Sequence, residues 1–161
     1  MEQTCIFQSE IKSCAFTGHR KLGEDFHAES LKTAIKKAVL LGVEIFYCGM
    51  AMGFDLLAAQ TVLEYKKEFP NIKLIACVPC YNQEKKFSEE DKQRYCAYLK
   101  QANEVIILSD KYYRGCMQVR NKYMAERADM LIAYCKKNTG GAAYTVKCFK
   151  KARKNGEILF L

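Results

Sequence analysis

The sequence predicts an α/β fold with a mostly parallel sheet that is covered by helices on both faces, in three layers. Short apolar runs of strand length alternate with longer stretches of helical spacing along the whole chain. Of the 161 residues, 50% are hydrophobic and 27% are charged, which is the balance of a folded globular protein. Glycines stand directly after several of the apolar runs, where a strand turns into the next helix.

The first strand is predicted over 13–17, an apolar run that ends at Gly18. A helix is predicted over 29–41, and Gly42 stops it. The inward stripe of this helix follows the helical period and consists of Leu31, Ile35, Ala38 and Val39. The two elements form the first strand–helix unit.

The second strand is predicted over 43–48 and ends at Gly49, and the helix that follows at 54–69 is broken by Pro70. The third strand is predicted at 72–77. The remaining elements are a polar helix at 85–101, strands at 104–108, 130–134 and 157–161, a helix at 117–128, and a helix from the glycines at 140–141 to about 154. Right-handed crossovers then place every strand-to-helix turn at one sheet edge, where such sheets bind ligands.

The chain is predicted to be a single domain over 1–161, with an N-terminal extension at 1–12. Neither a secretory signal nor a membrane-spanning stretch is recognisable, so a cytoplasmic protein without membrane contacts is expected. The net charge of +8 favours acidic partners such as phosphates or nucleic acid.

The nine cysteines are expected to be mostly reduced and buried. One C-x-x-C pair, Cys77 and Cys80, follows a strand, but the element order does not match a thioredoxin fold, and redox chemistry is not expected from this spacing. With His19 and His27 as the only histidines and no second cysteine pair, no metal site is predicted.

The first strand-to-helix turn reads Thr17-Gly18-His19-Arg20. Glycine lets the backbone approach an anion closely, and an arginine can bind phosphate with two parallel hydrogen bonds. The turn matches neither G-x-G-x-x-G nor a Walker loop, so no named nucleotide class follows. The alternative is a plain turn with an exposed arginine.

The second turn runs from Gly49 and Met50 to Gly53 and Asp55, and it opens a helix. Its amides and the positive end of the helix dipole therefore face the predicted ligand edge. Asp55 lies on the inward stripe, where a carboxylate can accept hydrogen bonds from ribose hydroxyls or act as a base. The alternative is an acidic residue that stabilises the helix N-terminus.

The helix at 117–128 carries Arg120 and Asn121 on its otherwise apolar stripe. Burying an unpaired guanidinium is costly, so Arg120 needs a carboxylate, carbonyl groups or an anionic ligand. A ligand-binding or catalytic role is predicted for Arg120, and a structural ion pair with Asp129 or Asp55 is the alternative.

Two further glycines, Gly140 and Gly141, stand at the last strand-to-helix turn, and flexible residues before a helix again suit phosphate. A lone Gly-Gly pair is weak evidence. Several such turns at one sheet edge predict a site for a nucleotide-like, phosphate-bearing ligand.

Five motifs together resemble YpsA-type domains of unknown function, which belong to the SLOG superfamily. They are T-G-H-R at 17–20, C-G-M-A-x-G-F-D at 48–55, the segment with Pro79 and Gln83, Arg94-Tyr95, and G-C-M-x-x-R-N-x-Y-M at 115–124. The superfamily unites the DNA-processing protein DprA with the LOG phosphoribohydrolases, and the resemblance covers about 13–150. It implies a Rossmann-like fold and a nucleotide or nucleotide-derived ligand, such as an ADP-ribose-like molecule.

LOG enzymes cleave the N-glycosidic bond of nucleoside monophosphates with the arginine of M-x-x-R-K and the glutamate of P-G-G-x-G-T-x-x-E. Here Arg120 stands at the arginine position, whereas Asn121 replaces the lysine and Lys147 stands at the glutamate position. A lysine cannot activate water or stabilise a cation-like transition state as a carboxylate does. The resemblance therefore implies binding without LOG-type hydrolysis.

Three functions follow as hypotheses, each compatible with a homo-oligomer: binding or sensing of a nucleotide-derived ligand, an N-glycosidase or transferase that uses Asp55 and Arg120, and, ranked last, single-stranded nucleic-acid binding in the manner of DprA. The predicted ligand-binding residues are Thr17, Gly18, His19, Arg20, Gly49, Met50, Gly53, Asp55, Arg120, Asn121, Gly140 and Gly141.

Overall fold

The structure, a computed structural model, describes residues 10–161. The first nine residues of the predicted N-terminal extension lie outside the described residues. The strands are β1 (Ser13–Gly18), β2 (Ile45–Cys48), β3 (Lys73–Val78), β4 (Glu104–Ile107), β5 (Met130–Tyr134) and β6 (Glu157–Phe160). The helices are α1 (Ala28–Leu40), α2 (Phe54–Tyr65), α3 (Glu89–Gln101), α4 (Cys116–Arg127) and α5 (Gly141–Ala152), and a short 3₁₀ turn spans Gln83–Lys86.

The six strands form one sheet in the order β4-β3-β2-β1-β5-β6, and every neighbouring pair is parallel. β1 lies in the middle, where Ala15 pairs with Tyr47 of β2 on one side and with Leu131 of β5 on the other. The predicted Rossmann-like α/β fold is confirmed.

Two buried clusters separate the helices into two layers. On one face, Leu31 of α1 and Phe54 of α2 pack with Phe16 and Phe46 of the sheet. On the other face, residues of α4 and α5 pack on alternate strand positions such as Ala15. α1 to α3 therefore cover one face, and α4 and α5 cover the other.

The strand order creates a crevice at the carboxyl edge of the sheet. β1 and β5 are neighbours, but the helices that follow them, α1 and α5, lie on opposite faces. Loops that diverge in this way leave room for a ligand between them. The sequence predicts the ligand site at this edge.

The polar helix predicted over 85–101 begins later than expected, at Glu89. The side chain of Ser88 accepts a hydrogen bond from the Asp91 amide (3.2 Å) and caps the helix start. Before it, Asn82 adopts a left-handed φ of 61° and leads into the 3₁₀ turn. The two lysines of that turn therefore lie in a loop at the carboxyl edge instead of on a helix.

Candidate functional site

Arg120 holds the carboxyl ends of two strands together from the inner face of α4. Its side chain is buried, with 3% exposed. Nη1 donates to the carbonyl oxygens of Gly49 and of Cys77 (3.3 Å) and to Oε1 of Gln83 (3.2 Å), and Nε donates to Oδ1 of Asn121 (2.8 Å). Burial lowers the pKa of the guanidinium, and the nearby Asp55 opposes this shift. Carbonyl and amide oxygens thus satisfy the buried cation.

The alternative predicted from the sequence, an ion pair of Arg120 with Asp129 or Asp55, is wrong. Asp129 instead binds Arg153, with Oδ1 2.9 Å from Nη2. Asp55 approaches Arg120 across Gly49 but forms no ion pair with it; a Cβ at Gly49 would lie 2.8 Å from the Arg120 guanidinium carbon and 2.9 Å from Oδ2 of Asp55. Gly49 therefore has to be glycine because both charged groups close on it.

Asp55 is an enclosed carboxylate, with 7% of the residue exposed. Its Oδ2 accepts a hydrogen bond from the Ala51 amide (3.3 Å), and its buried Oδ1 finds no partner within residues 10–161. Burial raises the pKa of Asp55 to about 6, against the opposing effects of Arg120 and the Ala51 amide. Met50, which stands between Gly49 and Ala51 in the chain, has a left-handed φ of 61°. This conformation costs a non-glycine residue about 1–2 kcal/mol.

Gln83 completes this enclosed cluster and was not among the predicted site residues. Its Nε2 donates to the carbonyl of Gly49 (3.2 Å), which Arg120 also contacts. Gln83 belongs to one of the motifs that carry the family resemblance, and this was the only sign of its role in the sequence. We call Gly49, Asp55, Gln83 and Arg120 the enclosed cluster.

The first turn packs against the second and the last. Gly18 lies against the ring of Phe54, and the Arg20 carbonyl lies so close to Gly53, which has a φ of 79°, that a side chain there would collide with backbone. His19 Nε2 accepts a hydrogen bond from the Lys136 amide (2.8 Å) beyond β5. Gly18, His19 and Gly53 therefore fix the loops around the crevice.

Asn121 connects α4 to the last turn. Its Oδ1 accepts from Arg120, and its Nδ2 donates to the Gly141 carbonyl (3.4 Å). The neighbouring Gly140 has a φ of 93°, and a Cβ there would meet nothing within 4 Å. The predicted residues of all four turns thus lie at one edge, linked by hydrogen bonds and packing.

A cavity of about 400 Å³ opens beside the enclosed cluster, at the carboxyl edge. Three cations, Arg20, Lys85 and Lys86, line it, and no carboxylate is among its lining residues. The aromatic residues Phe87 and Tyr112 also line the cavity, and Tyr112 is 69% exposed. The other lining residues are Ala51, Met52, Cys80, Asn82, Gln83 and Met117. We call this space the edge cavity.

A smaller cavity of about 330 Å³ lies on the other side of Arg20 and Met52, where Gly53, Asp91 and Arg94 line it. Among the predicted ligand-binding residues, only Arg20 lines the edge cavity, and Arg20 and Gly53 line its neighbour. The sequence missed the two lysines because it placed the start of the helix too early. Within residues 10–161, no cluster of three or more His, Cys, Asp or Glu side chains is placed to hold a metal ion.

Comparison with solved structures shows the same fold in DNA processing protein A (DprA). The Streptococcus pneumoniae protein aligns with a TM-score of 0.65 and 16% identity over 93% of this chain and 50% of that chain. The Helicobacter pylori protein, whose structure concerns its single-stranded DNA binding mode, aligns with a TM-score of 0.67 and 16% identity. That alignment covers 94% of this chain and 65% of the other, so this chain spans half to two thirds of both DprA chains.

Sequence comparison gives a nearer relationship. A UPF0398 protein of Bacillus cereus (strain B4264) is 30% identical in an alignment that covers 92% of this chain and 86% of that protein. The family model described as the YspA SLOG family matches residues 16–160, nearly all of the part that the structure describes. None of the helices in that part is long and apolar enough to cross a membrane. The resemblance found in the motifs is confirmed: the chain belongs to the YspA SLOG family.

Proposed function

We propose that the protein binds a phosphorylated, nucleotide-like ligand in the edge cavity. The observation that carries this proposal is the convergence of Arg20, Lys85 and Lys86 on one space whose lining residues include no carboxylate. Like charges that face one another are unfavourable, and an anion between them removes the repulsion. Guanidinium and ammonium groups are also the side chains that proteins use most to bind phosphate.

The size and the remaining walls of the edge cavity suit the rest of such a ligand. A volume of about 400 Å³ lies within the usual range for small-molecule sites. Phe87 and Tyr112 offer ring faces, and stacking of a base on an aromatic side chain contributes about 1–3 kcal/mol. A base stacked on one of these rings would keep its phosphates in the same cavity as the three cations.

The start of α4 adds a third contribution. The helix begins after Gly115, which provides no side-chain cap, and its first turn contains no acidic residue. Met117, in that first turn, lines the edge cavity. The amide groups and the positive dipole end of a helix attract phosphate, which supports the same ligand class.

Binding is a better proposal than turnover by Asp55 and Arg120. Neither residue lines the edge cavity, and both are nearly fully buried. The oxygen acceptors of Nη1 and Nε of Arg120 are in Gly49, Cys77, Gln83 and Asn121, whereas Nη2 contacts only the Met117 sulfur (3.8 Å). The burial of Asp55 and the backbone contacts of Arg120 therefore support a role in holding the loops.

The proposal is tested by thermal unfolding of the full chain with AMP, ADP-ribose, NAD and cyclic nucleotides. At a ligand concentration of 100 Kd, stabilisation is about 2.7 kcal/mol, which raises the Tm by roughly 5–11 °C. The double variant Lys85→Ala/Lys86→Ala should lose most of this shift. The matched control Lys150→Ala/Lys151→Ala removes two exposed lysines at the far end of α5 and should keep it.

No shift with any of these ligands at millimolar concentration would contradict the proposal. An equal loss of binding in the two double variants would contradict the assignment to the edge cavity, because net charge alone would then explain the binding.

A second candidate is single-stranded DNA binding, which is favoured by the likeness to DprA, by the net charge of +8 and by the exposed cations of the edge cavity. Fluorescence anisotropy with a labelled oligonucleotide tests it. Binding through phosphates predicts that log K falls linearly with log salt, with a slope of about −0.7 for each phosphate contact on a single strand. Affinity for the oligonucleotide that does not change with salt would contradict this candidate.

A further inference from the structure

A group of hydrogen-bonded side chains holds the turn after β1 against the end of β5 and the loop that follows it. His19 Nε2 accepts a hydrogen bond from the Lys136 amide (2.8 Å). The Tyr134 hydroxyl donates to Oδ1 of Asp25 (2.9 Å) and accepts from the Gly23 amide (3.1 Å). Lys136 Nζ lies 3.6 Å from Oδ2 of Asp25. We call His19, Asp25, Tyr134 and Lys136 the crevice latch.

Aromatic packing orients the His19 ring in the crevice latch. The imidazole meets the Tyr134 ring edge to face, with 5.3 Å between the ring centroids. Tyr134 packs in turn on Phe26 (4.9 Å) and Phe54 (6.1 Å), and Phe54 belongs to the core under α2. Because Tyr134 is 2% exposed, the core holds the surface on which His19 rests.

The hydrogen bond of His19 needs a neutral imidazole. A backbone amide can only donate, so Nε2 accepts with its lone pair and the ring proton is on Nδ1. A second proton, on Nε2, would remove the acceptor and place two N–H groups opposite each other. Protonation of His19 is therefore incompatible with its bond to the Lys136 amide.

The surroundings of His19 oppose the charged ring. Burial lowers the pKa of His19 below its ordinary 6.5, and the ammonium groups of Lys137 and Lys136 lower it further, whereas the Asp25 carboxylate opposes this shift. The pKa of Asp25 is itself lowered, first of all by the hydrogen bond from Tyr134. Asp25 therefore stays ionised while His19 takes up its proton, and the bond between Tyr134 and Asp25 is kept.

We propose that the crevice latch is a pH-sensitive switch, which is closed at neutral pH and opens when His19 takes up a proton. Opening breaks the hydrogen bond between the turn after β1 and the loop at 135–140. The exposed ion pair of Lys136 with Asp25 still joins the two segments, and such pairs contribute little.

The switch acts on the walls of the crevice. The loop at 135–140 leads into α5, and the turn after β1 carries Arg20, which lines both cavities. The switch goes beyond the proposed function and does not depend on it, because it consists of contacts within the chain.

Nuclear magnetic resonance titration of the full chain from pH 4.5 to pH 8 tests the switch, and the sequence contains only two histidines to follow. The His19 imidazole should titrate with a midpoint below 6.5, and the proton resonance of the Lys136 amide should move upfield with the same midpoint, as its hydrogen bond is lost. The exposed His27 should titrate without moving that amide.

Three variants separate a switch from a plain contact. His19→Gln keeps a side-chain oxygen acceptor that does not titrate, so the Lys136 amide should stay in its bonded position over the whole range. His19→Ala removes the acceptor, so the amide should stay in its unbonded position. His27→Gln is the matched control and should leave the transition at Lys136 unchanged. Amide resonances of the sheet check that each variant folds.

Thermal unfolding gives a second measurement. Because the pKa of His19 is lower in the folded state, the unfolded chain binds the proton first, and stability is lost as the pH falls from 6.5 towards the folded pKa. The Tm of His19→Gln should therefore gain on that of the unchanged protein as the pH falls through this range. The comparison cancels the titration of Asp55, which both proteins share.

Three results would overturn the inference. One is a Lys136 amide that does not follow the His19 titration. Another is a His19 midpoint at or above 6.5, since the folded state would then accept the charged ring. The third is a transition at Lys136 that persists in His19→Gln, because a different group would then cause it.

Discussion

The enclosed cluster and the edge cavity occupy the same edge of the sheet, yet they handle charge in opposite ways. In the enclosed cluster, Arg120 is surrounded by carbonyl and amide oxygens, and Asp55 lies nearby and is almost fully buried. In the edge cavity, Arg20, Lys85 and Lys86 are exposed and converge on open space. The first region uses a charge to hold loops, and the second leaves charges exposed around a cavity, where we propose that the ligand binds.

This difference shows that the residues of a family motif can have two roles: some hold the loops together, and others line the cavity. The motif residues Gly49, Asp55 and Arg120 lie in the enclosed cluster, where substitution should affect folding, whereas Arg20 and Met117 line the edge cavity. Six of the residues that line the edge cavity lie in the loop after β3, and its two lysines are outside the motifs. Variants of the two regions should therefore have separable effects on stability and on binding.

The largest effect is expected for Arg120→Ala. The change removes a donor from the buried carbonyls of Gly49, which keeps the Gln83 amide, and of Cys77, and a buried polar group that loses its partner costs about 1–3 kcal/mol. Truncating this large buried side chain also leaves a cavity, which adds to the loss. We expect a loss of about 3–5 kcal/mol in the free energy of unfolding, measured with urea and circular dichroism. Exposed Arg114→Ala is the control and should change it by less than about 0.5 kcal/mol. Equal losses would show that Arg120 does not hold the loops.

Next in size is the contrast between Gly53→Ala and Gly140→Ala. Both glycines have a positive φ, which costs a non-glycine residue about 1–2 kcal/mol. A Cβ at Gly53 collides with the Arg20 backbone, whereas one at Gly140 meets nothing within 4 Å. We expect about 3–4 kcal/mol for Gly53→Ala and about 1–2 kcal/mol for Gly140→Ala in the same urea experiment. Similar costs would mean that the two turns are not in tight contact.

The charge of Asp55 should appear as a pH dependence of stability. The pKa of Asp55 is about 6 in the folded state, against an ordinary value of 3.8, so the folded state binds the proton more tightly than the unfolded state does. Protonation of Asp55 therefore stabilises the folded state fully below pH 3.8. This stabilisation, about 3 kcal/mol in total, is lost as the pH rises through 6. Asp55→Asn removes this titration.

The measurement for Asp55 is the difference in unfolding free energy between Asp55→Asn and the unchanged protein, taken from pH 4 to pH 7. The difference should move in favour of Asp55→Asn as the pH rises and level off above pH 6. A constant difference across this range would show that Asp55 is not an enclosed titrating group.

The smallest effect on stability is expected at the edge cavity. Arg20→Ala removes an exposed side chain and should change the free energy of unfolding by less than about 0.5 kcal/mol. If Arg20 contacts phosphate, the same change should weaken nucleotide binding by about tenfold, which corresponds to about 1.4 kcal/mol. Calorimetric titration with the best nucleotide from the thermal screen would measure it. A variant that is destabilised but binds normally would reverse the roles that we assign to the two regions.

The sequence was sufficient to predict the strands and helices and the sheet edge at which the predicted residues lie together. Alternating apolar and helical periods predicted all six strands and five helices, because these periods reflect which side of a local element faces the core. Boundaries were less certain: β2 begins at Ile45 and not at 43, since the Val43 amide still bonds to the Ala38 carbonyl at the end of α1. The start of α3 was wrong because Ser88 caps it after a separate turn.

Within the site, the sequence by itself determined that Arg120 would need buried partners, since a guanidinium on an apolar stripe cannot be left unpaired. Only the tertiary structure decided which partners those are. They lie 71, 43 and 37 positions away, at Gly49, Cys77 and Gln83, and no local period relates such distant residues. The order of the parallel strands brings them together, and the same order leaves the cations of the edge cavity exposed beside them.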